Sequence, residues 1–434
     1  MFVHIGILFV LLQSSYCVER YDGHKVLEIL HKAESDFIKI LEMELKYKLD
    51  FWKLPKHVDD SMKVRVSPEH LEDFLHELEA INADVSTMIE NVQDIMDEHQ
   101  VQSEVPVLHR RASSYSSGWS LNVYYSYSSI LNYLTAIAAA TLPNNMTATL
   151  ETLGTSYEGR VVRMIKLSKA GSAANKRKIF IDGGIHAREW VSPATVIYMI
   201  EMLAYNPNNN ASINTLLNRY DVYLAPLINP DGYQYSGSSY RLWRKNRRNN
   251  PQGNCYGVDL NRNFPFQWDP IIGGSNSPCS DLFSGATPGS EPETANIVNY
   301  LMANGDLFDA YLTIHSYGQM WLYPWGYTSA LPSDHSDLHN AALSGKNAIA
   351  AYQGMSYLVG SSTNELYAAA GGSDDFAKGG AGIKYSYTIE LRDQGDYGFQ
   401  LPATLIIPTA KEFFDGFVAF ADTMYTHLYG SSGK

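Results

Sequence analysis

His186 and Glu189 stand three residues apart in the stretch Lys178-Ile-Phe-Ile-Asp-Gly-Gly-Ile-His-Ala-Arg-Glu-Trp190. Imidazole and carboxylate together suit zinc, and a catalytic zinc takes three protein ligands and keeps one position open. The third ligand must come from another part of the chain. His315 is the candidate, because it ends the run Tyr311-Leu-Thr-Ile-His-Ser-Tyr317 and so sits at a strand end. A zinc held this way polarises a carbonyl and lowers the pKa of water toward about 7. Such a site also needs a base for the water and a positive group for the oxyanion. Glu390, inside the otherwise apolar run Tyr385-Ser-Tyr-Thr-Ile-Glu-Leu391, is the candidate base, since a buried lone carboxylate is costly unless paired or functional. The competing reading pairs it with Arg392, two residues along the same strand face. Asn261 and Arg262, in Val258-Asp-Leu-Asn-Arg-Asn-Phe264, have the chemistry to clamp a planar carboxylate. The run Arg241-Leu-Trp-Arg-Lys-Asn-Arg-Arg248 on its own reads as a surface or nucleic-acid patch. His335 and His339, in a very polar segment, are expected in a solvated surface turn.

The elements that must position these groups alternate strand and helix. Residues 179–181 form an apolar run of the buried-strand type, broken by Gly183-Gly184. Ser192-Pro193 reads as the cap and first position of a helix reaching Tyr205. His186 and Glu189 thus fall in a strand-to-helix loop, where open α/β sheets bind their ligands. Further strands are predicted at 160–166, 221–226, 310–314 and 385–391, with helices at 128–140 and 409–428. The expected fold is α/β, a central parallel or mixed sheet flanked by helices on both faces.

The chain of 434 residues carries 46 Asp and Glu against 33 Lys and Arg, a formal charge of −13, which argues against nucleic acid as a partner. Residues 2–12 are apolar and are followed by Ser14, Ser15 and Cys17, the pattern of a signal peptide over 1–17. The run is too short to span a bilayer and no later stretch is apolar enough, so a secreted, extracellular protein without a membrane anchor is expected. Residues 18–111 are richer in Asp and Glu and hold no cysteine. Strands at 25–30 and 60–66 and helices at 33–46 and 68–81, the latter capped by Ser67, make this a small α+β domain. It ends in His109-Arg110-Arg111 beside a serine-rich stretch, which is either a cut site for a trypsin-like protease or an ordinary linker. Cys255 and Cys279 remain once the signal segment is set aside, as one disulfide of a secreted chain or as two buried thiols. Asn145-Met-Thr147 and Asn210-Ala-Ser212 fit the N-glycosylation pattern.

Taken in order, His186-Ala-Arg-Glu-Trp190, Asn229-Pro-Asp-Gly-Tyr233, Arg241-Leu-Trp-Arg244, Asn261-Arg-Asn263, His315-Ser-Tyr317, Tyr367 with Gly371-Gly-Ser-Asp-Asp375, and Thr388-Ile-Glu-Leu-Arg392 resemble the zinc carboxypeptidases of the A/B type. The likeness covers nearly all of 112–434, and residues 18–111 are similar to the inhibitory activation domain of that family. It implies one zinc on His186, Glu189 and His315, with Glu390 activating the water and Arg244 stabilising the oxyanion. It further implies that Asn261, Arg262 and Tyr367 grip the free C-terminal carboxylate, and that Arg188 and Tyr317 touch residues upstream of the scissile bond. Cys255 and Cys279 match the single disulfide of the family.

Counting from Tyr367, the resemblance puts Asp374 at the floor of the specificity pocket, where B-type members carry Asp and A-type members an apolar residue. A buried carboxylate favours a Lys or Arg side chain. Asp375 is expected to be structural, and Ser362 and Gly326 to line the pocket. The stretch Phe376-Ala-Lys-Gly-Gly-Ala-Gly382 runs one residue longer than the family pattern and carries Lys378, whose charge would alter the choice between Lys and Arg if it reached the pocket. The chain is therefore expected to be a monomeric secreted zymogen, cleaved after Arg111 by a trypsin-like protease, that releases C-terminal Lys or Arg from peptides and proteins. Protein inhibitors are expected as further partners. The competing expectations are an A-type enzyme releasing apolar residues, a non-catalytic peptide-binding relative, and a disulfide-stapled extracellular binding domain.

Overall fold

Four strands, β1 (Lys25–Leu30), β2 (Asp50–Lys53), β3 (Ser61–Val66) and β4 (Asp84–Ile89), pair antiparallel in the order β2-β3-β1-β4 near the N-terminus. The computed structural model describes residues 18–58, 60–98, 117–171, 176–205, 210–251 and 254–430; the expected signal peptide 1–17 and the Arg110-Arg111 pair lie outside them. Leu27, Ile29, Met62 and Val64 pack under the helices Glu34–Glu42 and Pro68–Ala80 through Ile40, Phe74 and Leu78. Burial of this kind contributes roughly 1.5–3 kcal/mol per large side chain before the entropy of ordering the chain is subtracted. The sequence pattern shows β1, β3 and both helices but not β2 and β4. Strand β4 is mostly exposed and therefore lacks an apolar alternation to read.

The larger sheet has eight strands: β5 (Met146–Thr155), β6 (Val161–Lys169), β7 (Arg177–Gly183), β8 (Tyr220–Ala225), β11 (Phe308–Ser316), β12 (Met320–Tyr323), β13 (Leu358–Ser361) and β14 (Tyr385–Leu391). A two-stranded ribbon, β9 (Asn249–Asn250) with β10 (Cys255–Tyr256), stands apart, and Cys255 is bonded to Cys279. The order is β13-β12-β14-β11-β7-β8-β6-β5, with β14, β11, β7 and β8 parallel at the centre. The sheet is mixed because β12 runs antiparallel to β14 and β6 to β8. Parallel central strands need cover on both faces. The helices Tyr127–Ala139, Val191–Tyr205, His335–Gln353 and Ile406–Tyr429 cover one face, and Pro292–Asn304 packs on the other.

Strand alternation decides where the chemistry goes. Tyr385, Tyr387, Ile389 and Leu391 of β14 enter the main helical core together with Ala310, Leu312 and Ile314 of β11. The intervening Ser386, Thr388 and Glu390, and Tyr311, Thr313 and His315, therefore face the opposite side. A one-residue slip in either strand would exchange these two sets.

Two local expectations are corrected. Ser192 is not a cap but lies within Val191–Tyr205; its Oγ donates to the Ile314 carbonyl at 2.5 Å and accepts from the Gly184 amide at 2.9 Å, tying the loop to β11. His335 and His339 are half-buried in the first turns of His335–Gln353 rather than in a surface turn, and His339 packs edge-on against Tyr323. Ser67 does occupy the cap position of Pro68–Ala80, without a side-chain hydrogen bond. No helix among the described residues is long and apolar enough to cross a membrane.

Candidate metal centre and substrate cavity

The C-terminal ends of β7, β11 and β14 converge on one point. Parallel pairing sets His315 of β11 directly beside Glu390 of β14, and the Gly183-Gly184 break lets the chain after β7 bring His186 and Glu189 to the same place. A Cβ at Gly184, whose φ is +67°, would lie 2.7 Å from Leu227 Cδ1, so the turn requires glycine. His186 Nδ1 lies 2.7 Å from Glu189 Oε1, His315 Nδ1 lies 3.0 Å from Glu189 Oε2, and the two Nδ1 atoms are 3.2 Å apart. All three side chains are buried, and among the described residues this is the one cluster of three such donors.

Two imidazoles and one carboxylate, buried and converging on one point, form the donor set of a catalytic zinc. The far nitrogens are occupied elsewhere. His186 Nε2 meets Asp259 Oδ1 at 3.2 Å and His315 Nε2 meets Thr313 Oγ1 at 3.1 Å, so both rings turn Nδ1 inward. Burial lowers the pKa of His186 and favours the neutral ring that a metal requires. At His315 burial is outweighed by the Glu189 charge, which holds that ring protonated up to about 9, so a metal would have to displace this proton. Burial works against the Asp259 anion, but Arg244 and Arg262 outweigh it and hold the carboxyl well below its usual range. Asp259 escaped the sequence reading although it sits beside Asn261 in the same apolar run. Its partners Arg244 and His186 are far away in the chain, which hides the pairing.

Around this point lies a cavity of about 720 Å³, lined by all three donors together with Arg244, Asn261, Arg262, Tyr317, Tyr367, Asp374 and Glu390. Arg244 donates to Asp259 Oδ2 through Nε at 3.0 Å and Nη2 at 2.9 Å, leaving Nη1 3.9 Å from Glu189. Arg262 is braced by the Gly273 and Asn261 carbonyls, and its Nη2 donates to Tyr367 Oη at 3.1 Å. Asn261 Oδ1 accepts from the Ser373 amide at 2.9 Å, which fixes the side chain beside the pocket. Tyr317 Oη is buried with no hydrogen-bond partner among the described residues. Burial pushes the Glu390 carboxyl upward, the His315 charge pulls it back, and the Glu189 charge adds to the push. Arg392 is not its partner: that guanidinium is engaged by Glu412, with Nε 2.8 Å from Oε1.

Asp374 is buried, and Ser362 Oγ donates to its Oδ2 at 3.2 Å. Among the described residues no Lys or Arg pairs with it. Its neighbour Asp375 points away and accepts from the Gly326 and Tyr327 amides at 2.9 and 3.0 Å, a structural task. Lys378 does not reach the cavity. The long stretch is taken up as a π-helical turn, Phe376–Gly380, and the Lys378 ammonium donates to Asp334 and to the Lys384 carbonyl, both at 2.9 Å. The basic run is likewise absorbed. Arg241 stacks over Trp190, Lys245 donates to the Pro278 and Ser280 carbonyls, and Arg248 pairs with Glu291.

Arg188 lies outside the cavity. It is held by Asp50 of the N-terminal domain, whose residues Trp52, Lys53, Ser61 and Lys63 also roof the cavity. Lys63 Nζ donates to the Gln394 carbonyl at 2.6 Å, Arg65 Nη2 to Tyr240 Oη at 3.0 Å, and Ser280 Oγ to Glu44 Oε1 at 2.7 Å. Nothing local in the sequence marks these cross-domain contacts.

The family model for zinc carboxypeptidases matches residues 130–416, and that for the carboxypeptidase activation peptide matches 27–99. The chain is 48% identical over 294 residues to carboxypeptidase B of Astacus astacus, covering 68% of this chain and 94% of that one. It is 36% identical over 419 residues to carboxypeptidase A2 of Mus musculus, covering 95% and 97%. The solved structure of thrombin activatable fibrinolysis inhibitor superposes with a TM-score of 0.80 at 32% identity, covering 92% of this chain and 98% of the other.

Proposed function

This chain belongs to the zinc carboxypeptidase family and carries an activation peptide, and we propose that it is a zymogen whose mature form removes C-terminal Lys or Arg from peptides and proteins. The observation that carries this specificity is Asp374, a buried carboxylate lining the cavity with no cation of its own among the described residues. An incoming ammonium or guanidinium would pair with it, whereas an apolar side chain would leave it buried and unpaired.

Zinc on His186, Glu189 and His315 supplies a Lewis acid and acidifies water at the site. The remaining steps fall to the chain itself. Arg262, with Asn261 and Tyr367 beside it, grips the terminal carboxylate and so restricts cleavage to the last peptide bond. Glu390 takes a proton from water and returns it to the leaving amine, a task suited to a carboxyl whose pKa has been raised. Arg244, oriented by Asp259, faces the oxyanion as charge develops there. Tyr317 and, once exposed, Arg188 meet residues upstream of the scissile bond.

The proposed division is a signal peptide over 1–17, an activation domain over 18–111 and a catalytic domain over 112–434, with cleavage after Arg111 by a trypsin-like protease. The bond between Cys255 and Cys279 supports a secreted, extracellular location. Protein inhibitors that fill the exposed cavity fit the same reading. The test is the rate of the activated protein on otherwise identical peptides ending in Lys, Arg or Phe. Lys and Arg are expected to exceed Phe by about two orders of magnitude, the discrimination available from one buried charge pair. A preference for Phe would make it an A-type enzyme instead.

A further inference from the structure

Glu365 closes the short helix Ser362–Glu365, one turn beyond the Ser362 hydroxyl that touches Asp374, and it lines the same cavity. Its aliphatic stem lies against the backbone of Gly360 in β13, where a Cβ would come within 2.2 Å of Glu365 Cγ. Glu365 Cδ and Oε1 lie over the same glycine, each 2.8 Å from that Cβ position, so Gly360 makes room for the whole side chain along the strand, and Oε2 is the oxygen that meets a cation. In this structure a lysine ammonium already sits on that carboxylate. Lys56 Nζ of the activation domain lies 3.1 Å from Glu365 Oε2, and the two side chains are 30% and 29% exposed. Among the described residues this is the one ion pair that Glu365 makes. Removal of the activation domain takes away the lysine and leaves a carboxylate on the cavity wall that leads to Asp374.

We propose that Glu365 is a specificity-determining residue of the mature enzyme, drawing the cationic side chain of a C-terminal Lys or Arg into the Asp374 cavity, and that Lys56 stands in for that cation in the zymogen. The proposal rests on the basic-specificity reading of Asp374. Glu365 is partly exposed, so its attraction acts through encounter and ground-state binding and is screened by salt. It therefore belongs in KM rather than in kcat.

The experiment uses the trypsin-activated full-length chain as wild type, Glu365→Gln, Glu365→Asp and Asp374→Asn, assayed on two peptides identical except for a final Lys or Phe. Each is measured at low salt and in 1 M NaCl. The expected result is that Glu365→Gln raises KM for the Lys peptide about three- to fivefold at low salt, the upper part of the range for a partly exposed ion pair. The Phe peptide moves by less than twofold, the difference shrinks in 1 M NaCl, and Glu365→Asp recovers part of it. If Glu365→Gln leaves the Lys-to-Phe ratio of KM within twofold while Asp374→Asn collapses the Lys preference, the proposal is overturned and the Asp374 reading stands. A parallel loss of kcat on both peptides would assign Glu365 a merely structural role and overturn it as well. A wild type indifferent to Lys, unchanged by Asp374→Asn, overturns both readings together.

Discussion

Asp50 and Arg188 are 138 residues apart in the chain and form a sealed ion pair, Oδ1 to Nη1 at 2.7 Å, with the two side chains 3% and 1% exposed. The second carboxylate oxygen accepts from Arg65 Nε and Trp52 Nε1, both at 3.0 Å, and the Arg188 guanidinium lies 4.1 Å above the Phe399 ring. The activation domain thus engages a residue next to the metal ligand Glu189 and places β2 and β3 over the cavity. Docking and blocking are one contact.

Removing Asp50 leaves Arg188 and Arg65 buried without their shared anion, a defect that costs about 3–5 kcal/mol in other buried pairs. Asp50→Ala, made in a chain whose dibasic cut site is removed by Arg110→Gln together with Arg111→Gln, is expected to loosen the activation domain and raise the peptidase rate of the intact zymogen at least tenfold. The rate is read on a short peptide, with circular dichroism confirming that both domains remain folded. A folded variant as silent as its parent would mean that other contacts hold the domain.

The same interface predicts a two-sided response to pH. Burial works against the Asp50 anion, but Arg188 and Arg65 outweigh it and hold the carboxyl at about 2, below its value in a separated domain. Its contribution is therefore complete above the usual Asp value of about 4 and is lost as pH falls from there toward 2. Glu44 and Asp281 meet across the interface and are shifted the other way, both raised by burial. A raised carboxyl binds its proton more tightly when docked, so these two favour docking increasingly as pH drops from neutral toward 4. Complexes nicked after Arg111 but still associated should hold together better at pH 5 than at pH 7.5 and dissociate between pH 4 and 2, as read by gel filtration at fixed ionic strength. Dissociation rising steadily from pH 7 to 5 would contradict the assignment.

What could be read from the sequence was local. His186, His315 and Glu390 stand at strand ends or in strand alternation, where neighbours a few residues away announce the strand and its faces. Asp50, Lys56 and Asp259 could not be read, because each takes its meaning from a partner that only the fold brings near. Ser192 looked like a cap by residue type, yet its hydroxyl is drawn to the Ile314 carbonyl, a tertiary demand that outweighs local capping. The polar composition around His335 hid a helix whose buried side, Leu338, Ala341, Ala342 and Ile349, emerges only further along. The long stretch after Asp375 carried the right signal, an extra residue, but a π-helical turn spends it inside the fold instead of in the pocket.

Withdrawal of zinc should be visible without any assay of activity. A cation held by His186, Glu189 and His315 binds the folded chain far more tightly than the unfolded one. It therefore stabilises by about 4 kcal/mol when present at a thousand times its dissociation constant. Dialysis against a chelator is expected to lower Tm by about 5–10 °C for a domain of this size, and stoichiometric zinc to restore it. Calcium or magnesium should not, because they prefer oxygen ligands to imidazole. His315→Ala should show the low Tm from the outset and respond little to either treatment.

Glu390→Gln separates catalysis from every other property of the site. Glu390 is not among the three donors, and Arg392 is already satisfied by Glu412, so the substitution removes no ligand and breaks no ion pair. It does remove the group placed to accept and return a proton, a contribution of about 10²- to 10⁴-fold in other enzymes. The variant should therefore bind zinc and fold as the parent does, with KM for a Lys-ending peptide changed little and kcat reduced by at least 10²-fold. Its pH profile should also lose the limb that reports ionisation of the base. Arg244→Gln offers the contrast, because it strips a charge partner from Asp259 and a neighbour from Glu189. That variant is expected to lose kcat and zinc affinity together, and only the pair of results assigns the proton transfer to Glu390.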